Sequence, residues 1–244
     1  MNFSAIASGV LDMLWPRRCP LCSNESDRPG RHVCSACVDR VPFMPVTGVC
    51  SVCSTPVEGA SGFFTCTECS ARSTKPCFDR AVSAVRYEGD IKRLVHAYKM
   101  GAQVYLRDDF AEWMHAAASA RLDMAAVDFV LSVPMTLYHR IDRGFDQTAY
   151  LAEAVAKAAS RKRLRGAVAR TGRPKRQSGL GESERRENVK GSFAVLRPGF
   201  VRGRTLLVVD DVMTTGSTLS ECARALKEAG AAKVFALTLA RTVK

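Results

Sequence analysis

The sequence lacks any long apolar run and the features of an exported protein. No uninterrupted apolar stretch among its 244 residues approaches the ~20 that a helix needs to cross a bilayer. Residues 2–15 are apolar, but no basic segment precedes them and no small-residue cleavage site follows, so we expect no signal peptide. These absences argue against membrane insertion and predict a protein of the reducing cytoplasm.

Two common nucleotide-binding motifs are also absent. The sequence has no Gly-x4-Gly-Lys-Ser/Thr segment of a P-loop nucleoside triphosphatase and no Gly-x-Gly-x-x-Gly after a strand, as a dinucleotide-binding fold requires. Its four histidines, His32, His96, His115 and His139, have no partner spacing that indicates a catalytic triad. We therefore assign them no chemistry.

Acidic residues are few relative to basic ones. Lys and Arg number 36 against 24 Asp and Glu, which gives a formal net charge of +12. The excess lies in residues 79–244, with 29 basic against 18 acidic residues, whereas residues 1–78 hold seven against six. This balance favours polyanionic or phosphorylated partners of the C-terminal part.

The cysteines, in contrast, are concentrated at one end. Nine of ten lie in the first 77 residues, and eight of these form Cys-x2-Cys pairs. Such pairs are typical of structural zinc sites, in which four thiolates close the ion to water, so we expect one or two zinc ions without a catalytic role. Four pairs can combine in three ways, and the spacing does not decide among them. The predicted ligands are Cys19, Cys22, Cys34, Cys37, Cys50, Cys53, Cys66 and Cys69.

Beyond a boundary near residues 78–79, strand and helix patterns alternate, which predicts an α/β domain with a parallel sheet over residues 79–244. The predicted strands span residues 81–87, 129–133, 205–209 and 234–239. The predicted helices span residues 91–98, 106–120, 148–159 and 218–229. Residues 1–78 are predicted to form an N-terminal helix and a small cysteine-rich module stabilised by metal.

The most informative segment joins the third of these strands to the last helix. Asp210 and Asp211 follow an apolar strand, and a turn rich in hydroxyl groups and centred on Gly216 leads into the helix. Such a turn collects backbone N–H groups at a helix N-terminus, where a phosphate binds well. Because two carboxylates repel a bare phosphate, we interpret the segment as a site for a sugar phosphate. The predicted phosphate-binding residues are Thr214, Thr215, Gly216, Ser217 and Thr218.

This segment resembles the phosphoribosyl pyrophosphate (PRPP) motif of type I phosphoribosyltransferases, and the wider chain resembles the ComF family. The resemblance extends to residues 132–134, 140–147 and 177–193 and to the cysteine pairs. It implies a type I phosphoribosyltransferase fold: a Rossmann-like parallel sheet with helices on both faces and a flexible hood loop, here residues 171–193. One departure is Asp146, where the family usually has Asn.

The resemblance also implies a chemistry. Asp210 and Asp211 would bind the ribose and carry the catalytic role, Arg140 and Arg143 would hold pyrophosphate, and Mg²⁺ would bridge pyrophosphate and the ribose hydroxyls. The reaction would be transfer of phosphoribosyl to an acceptor that nothing in the sequence identifies. Whether catalysis is retained, and the oligomeric state, stay open.

A second function is left open by the sequence. Residues 157–176 contain nine Lys or Arg and no acid, but no aromatic residue on which a base would stack. A solvated loop explains this run nearly as well as a nucleic-acid surface. The ComF resemblance implies DNA uptake, so the alternative is a non-enzymatic protein that handles single-stranded DNA together with protein partners in DNA processing.

Overall fold

The computed structural model describes residues 16–57, 59–60, 62, 64–71, 75–136, 141, 144–171 and 190–243. Its strands are β1 (Arg80–Arg86), β2 (Phe129–Ser132), β3 (Lys162–Arg163), β4 (Val168–Arg170), β5 (Phe193–Val195), β6 (Thr205–Met213) and β7 (Lys233–Arg241). Five of them form a parallel sheet in the order β1-β7-β6-β2-β3. The other two, β4 and β5, form a separate antiparallel pair. The sheet confirms the predicted α/β fold.

Helices cover both faces of the sheet. They are α1 (Ser35–Val38), α2 (Thr67–Ser70), α3 (Gly89–Met100), α4 (Arg107–Arg121), α5 (Gln147–Ala158), α6 (Pro198–Val201) and α7 (Ser217–Glu228). Short 3₁₀ turns occupy Val104–Leu106 and Met124–Ala126. Helices α3, α4 and α5 pack on one face, whereas α7 and the β4–β5 pair pack on the other. In the described part of the chain, no helix combines the length and apolarity that crossing a membrane requires.

All four predicted strands and all four predicted helices are present in the sheet domain, with ends displaced by a few residues. The largest displacement is in β6, which continues to Met213 and so includes both acids of the motif. Strands β3, β4 and β5 were not predicted, because segments of two or three residues show no periodicity. Helix α7 buries a face that includes Leu219, Cys222, Ala223 and Leu226, and Gly230, with φ of 94°, follows its end.

Alternation along β6 explains how the two cores form. Successive side chains of a strand point to opposite faces. Leu207 and Val209 accordingly pack with α3, α4 and α5, whereas Leu206 and Val208 pack with α7. The acids that follow continue the same alternation, so they lie on opposite faces of the sheet.

The cysteine module covers the outer edge of β1, the edge that faces away from β7. Met44 N donates to Ala84 O at 2.8 Å, and Arg86 N donates to Pro42 O at 2.8 Å. Ala81 N donates to Val52 O, also at 2.8 Å. An uncovered edge strand offers unpaired backbone groups to other chains, so this cover satisfies hydrogen bonds of the sheet itself.

A buried carboxylate fixes the first part of the module to α4. Asp109, fully buried, accepts hydrogen bonds from His32 N at 2.9 Å and Val33 N at 3.3 Å. Its Oδ1 also lies 3.1 Å from Arg28 Nη1. Burial raises the pKa of this carboxyl above its ordinary value, against the opposing effect of these partners. The module is therefore packed into the sheet domain; the division at residue 78 stays a prediction.

Candidate active site and zinc clusters

The candidate sugar-binding acids lie at the carboxyl end of β6, on opposite faces of the sheet. Asp211 is 8% exposed and points toward α3 and α5. Asp210 is half-buried on the face of α7, near Cys222 and Arg170. The structure therefore brings the pair to one edge but gives the two carboxylates different surroundings.

Asp211 is held by two side chains that the sequence analysis did not single out. Lys99 Nζ lies 2.9 Å from Asp211 Oδ2, and Gln147 Nε2 donates to the same oxygen at 3.2 Å. Tyr98 Oη donates to Gln147 O at 2.8 Å, which fixes the start of α5 against α3. In this structure the carboxylate of Asp211 is therefore charge-paired.

Asp210 has weaker compensation for its burial. Burial raises its pKa, the charge of Asp211 raises it further, and the result is about 7. The backbone N–H of Asp211 and the charges of Lys99 and Arg170 oppose this rise. Asp210 is thus poised between its neutral and charged forms near neutral pH, where a ligand that offers hydroxyl donors or a cation favours the charged form.

The turn after β6 has the geometry expected of a phosphate site. Gly216 has φ of 76° and is the N-cap of α7, a helix of 12 residues. Thr215 Oγ1 lies 2.8 Å from Ser217 Oγ and accepts a hydrogen bond from Ser217 N at 3.3 Å. Left-handed backbone at Gly216 lets the turn bend and brings backbone N–H groups to the helix N-terminus. Thr214 is exposed and Thr218 is partly exposed at the same turn.

A cavity of about 330 Å³ lies beside this edge, between the end of β2 and the segment that joins β3 to β4. Ser132, Pro134 and Arg170 line it. The Nε and Nη2 atoms of Arg170 are buried and have no hydrogen-bond partner among the described residues. Burial lowers the pKa of this guanidinium, and Phe193 lies under it with the ring centroid 5.4 Å away.

Some predicted site residues lie outside the described part of the chain. These are Arg140 and Arg143, so their predicted contact with pyrophosphate stays a prediction. Residues 172–189 of the predicted hood are also outside, but its two ends are joined, since Thr171 N donates to Ser192 O at 2.7 Å. Asp146, the departure from the family pattern, is the N-cap of α5 and accepts from Ala149 N at 2.8 Å. An Asn side chain can make the same bond, so the exchange keeps the cap of α5.

The basic run is divided between the two edges of the sheet. Lys157 and Lys162 are exposed where α5 ends and β3 begins, at the amino edge. Arg163 and Arg165 both contact Glu153 Oε2, at 2.8 and 2.6 Å, so a carboxylate partly neutralises them. The described part of the run is therefore not one continuous cationic track. Three members of the run fall outside the described residues: Arg173, Lys175 and Arg176.

The eight paired cysteines form two clusters. In each, four sulfur atoms lie within 4.8 Å of one another. The structure thus selects one of the three pairings left open by the sequence, in which neighbouring Cys-x2-Cys pairs share a site. The first cluster is Cys19, Cys22, Cys34 and Cys37; the second is Cys50, Cys53, Cys66 and Cys69.

The sulfur geometry fits zinc. Four thiolates at ~2.3 Å from a tetrahedral zinc ion lie about 3.8 Å apart. The Cys22–Cys34 and Cys53–Cys66 Sγ distances are 3.6 and 3.7 Å, far longer than a disulfide bond of ~2.05 Å. A hydrogen bond from the Cys53 thiol lowers the pKa of Cys50 to about 4, so one ligand is readily deprotonated. Cys77 and Cys222 belong to neither cluster, as predicted.

Comparisons with known proteins identify two domains in the chain. Residues 10–72 match the double zinc ribbon domain, and residues 150–242 match the phosphoribosyl transferase domain. The two clusters of four cysteines therefore fit the sites of a double zinc ribbon, and they are named here the first and second ribbons.

Curated relatives match most of the chain. The DNA utilization protein YhgH of Escherichia coli and that of Shigella flexneri are each 30% identical over 213 residues, which cover 80% of this chain and 91% of theirs. Competence protein F of Haemophilus influenzae is 26% identical over 230 residues, covering 92% of this chain and 96% of its own.

Proposed function

Because this chain belongs to the ComF family, in which a double zinc ribbon precedes a phosphoribosyltransferase domain, we propose that it binds PRPP with Mg²⁺ at the carboxyl edge of β6. The observation that supports this most is the junction of β6 and α7. It presents a half-buried and a buried carboxylate beside a hydroxyl-lined turn at a helix N-terminus. A ribose 5-phosphate has a diol that can bind the carboxylates and a phosphate that can bind the turn.

The roles follow from the chemistry of the groups. The backbone N–H groups of the turn and the hydroxyls of Thr215 and Ser217 hold the 5-phosphate. Asp210 and Asp211 accept hydrogen bonds from the ribose hydroxyls, and bonds to charged acceptors are the stronger ones. Carboxylate oxygens are also ligands that Mg²⁺ prefers, so the acids suit a metal-bound sugar diphosphate.

We further propose that the bound PRPP donates its phosphoribosyl group. A nucleophile forms a bond to C1 of the ribose, the bond from C1 to the pyrophosphate oxygen breaks, and that oxygen keeps the electron pair. Mg²⁺, when bound, neutralises the leaving pyrophosphate. Asp210 and Asp211 fix the ribose and lie near the positive charge that develops on it, so the chain acts by positioning and electrostatics. The acceptor is unidentified.

Calorimetry with PRPP and Mg²⁺ tests the binding step. The double variant Asp210→Asn/Asp211→Asn keeps the size of both side chains and should bind at least about tenfold more weakly, since hydrogen bonds to charged groups contribute ~1.5–3 kcal/mol each. Asp39→Asn, at an exposed position of the first ribbon, is the control and should bind as the parent does. Equal affinity of the double variant and the parent would remove these acids from the sugar site.

Single-stranded DNA is a second candidate ligand. It is favoured by the exposed Lys157 and Lys162 at the amino edge, away from the PRPP turn, and by relatives whose names refer to DNA utilization and competence. A polyanion bound there releases counterions, so its affinity should fall as salt rises. Both functions can coexist, because they use different edges of the sheet.

Fluorescence anisotropy of labelled single-stranded DNA at two salt concentrations tests this candidate. Lys157→Glu/Lys162→Glu should weaken binding and reduce the salt slope by about 1.4, since each phosphate contact to a single strand contributes about 0.7. Lys92→Glu/Arg93→Glu changes the charge equally on the exposed side of α3 and is the matched control. A larger loss in the control would place the DNA surface on α3, and no binding of the parent at low salt would remove the candidate.

A further inference from the structure

Arg241, the last residue of β7, is a buried cation whose guanidinium donates a hydrogen bond to the second ribbon. Its side chain is 2% exposed, and Nη2 lies 3.5 Å from Cys53 Sγ. The Nε and Nη1 atoms have no hydrogen-bond partner in the part of the chain that the structure describes. A buried guanidinium without a counter-charge is costly, so its position calls for negative charge nearby.

The four thiolates of a zinc-loaded second ribbon would supply that negative charge. Four thiolates around one Zn²⁺ carry a formal charge of −2, and all four cysteines of the second ribbon are buried. Arg241 and the second ribbon thus compensate each other most fully when all four thiolates are bound to the metal. The first ribbon differs, because Cys22 is partly exposed and the nearby cation Arg40, with Nη2 3.2 Å from Cys37 Sγ, is exposed to solvent.

Arg241 also pairs with the strand end that leads into the phosphate turn. It is the ladder partner of Met213, and Thr242 N donates to Met213 O at 3.0 Å. The Sδ and Cε atoms of Met213 lie 3.6 Å from the position that a Cβ on Gly216 would occupy. A displacement of Arg241 would therefore also displace Met213, which packs under Gly216.

The segment that follows the second ribbon makes a second connection to the same turn. Phe78 Cε1 lies 3.7 Å from the Cβ position of Gly216, and Cys77 N donates to Ser220 Oγ at 3.0 Å. The four cysteines of the second ribbon share one hydrophobic cluster with Phe78, Met213 and Leu219. The cysteines of the first ribbon instead join the cluster of α3, α4 and α5.

We propose that PRPP affinity depends on zinc in the second ribbon, because Arg241, the counter-charge of that zinc site, holds Met213 and the turn at Gly216 in their binding conformation. The inference rests on the proposed PRPP function. Arg241 acts as a positioning residue, since it works through Met213 and does not touch the ligand. Zinc in the first ribbon should affect PRPP affinity much less.

Arg241→Met tests the counter-charge, with Arg40→Met as the matched control on the first ribbon. Zinc retention is measured by competition with a chelator, and PRPP affinity by calorimetry with Mg²⁺. Arg241→Met should release one of the two zinc ions at ~10–100-fold lower chelator concentration, the usual effect of removing a group that supports a metal ligand. Its PRPP affinity should fall by at least about tenfold. Arg241→Lys keeps the charge and should recover most of the zinc retention, whereas Arg40→Met should match the parent in both measurements.

A pair of cysteine variants tests the dependence on zinc directly. Cys34 and Cys66 occupy equivalent positions, each at the N-cap of a four-residue helix in its ribbon. Cys66→Ser should lose one zinc ion and most PRPP affinity, whereas Cys34→Ser should lose one zinc ion and keep PRPP affinity. If Cys66→Ser fails to fold, Arg241→Met still tests whether PRPP affinity depends on zinc in the second ribbon, because it leaves all eight cysteine ligands in place.

The outcomes separate this inference from the function on which it rests. A parent protein that holds two zinc ions but does not bind PRPP refutes the proposed function, and the zinc measurements then still decide whether Arg241 is the counter-charge. A parent that binds PRPP while Arg241→Met loses zinc and binds PRPP equally well overturns the coupling. Unchanged zinc retention in Arg241→Met overturns the role of Arg241.

Discussion

The unequal surroundings of the two site acids predict that Asp210→Asn stabilises the empty protein while it weakens PRPP binding. Asp210 has a pKa of about 7 in the fold against an ordinary value of 3.8. Between these values the folded state binds more protons than the unfolded state, so the free energy of unfolding falls as pH rises. A gap of about 3 pKa units corresponds to a penalty of at most about 4 kcal/mol once the pH is well above 7.

Asn cannot ionise, so the variant escapes this penalty. Its Oδ1 can still accept the hydrogen bond that Asp210 Oδ1 accepts from Asp211 N at 2.9 Å. Urea unfolding of both proteins, in buffers containing zinc, measures the difference. The stability advantage of Asp210→Asn should grow by about 1–1.5 kcal/mol between roughly pH 6 and pH 8.5, with most of the increase below pH 7.5.

Ligand binding should respond in the opposite direction. The PRPP affinity of the parent should rise as the pH passes about 7, because the carboxylate of Asp210 forms there. PRPP itself also ionises, and the affinity of Asp210→Asn measures that effect alone. The rise in the parent should therefore be larger than the rise in Asp210→Asn. Asp211→Asn is the matched control, and it should give no stability gain because it removes the partner of Lys99 Nζ. A pH-independent stability difference between Asp210→Asn and the parent would refute the assigned ionisation of Asp210.

Three further predictions concern the turn and the module. Gly216→Ala should cost about 1–2 kcal/mol in thermal unfolding, since φ of 76° strains any side chain, and should weaken PRPP binding; equal stability would mean that the turn relaxes. Arg28→Met should cost about 3 kcal/mol in urea unfolding because it removes the cation that is paired with the buried Asp109, whereas Arg31→Met, whose ion pair is with the partly exposed Glu112, should cost less; equal costs would contradict this. Zinc chelation should speed hydrogen exchange in β1 before β6, and uniform exchange would show that the module does not protect that edge.

How far sequence predicts this fold depends on the range of the interactions involved. The apolar run that ends at Asp210 and the face of α7 formed by Leu219 and Leu226 are local patterns, and both elements appear where they were predicted. Strand β3, with two residues, has no pattern of its own and exists because β2 offers it an edge. Its hydrogen bonds depend on tertiary packing, and the local sequence pattern carries no information about that packing.

The candidate site divides in the same way. The turn between β6 and α7 could be predicted because its residues are contiguous and Gly216 marks the left-handed backbone position. The partners of the acids could not, because Lys99 and Gln147 come from two different helices that meet only when the sheet forms. Arg170 belonged to a basic run with several members, and nothing in its neighbours distinguished it from Arg165, which is exposed.

By itself, the sequence determined the α/β class, the zinc-ribbon spacing of the cysteine pairs and the position of the hydroxyl-rich turn between β6 and α7. The spacing of two residues between cysteines and the alternation of strand and helix patterns are local signals, so they can be recognised from the sequence alone. The tertiary structure decided which cysteine pairs share an ion, which face each acid occupies and that Arg241 lies against Cys53, 188 positions away in the chain. These contacts join distant segments whose meeting depends on the order of strands in the sheet, and no local pattern encodes that order.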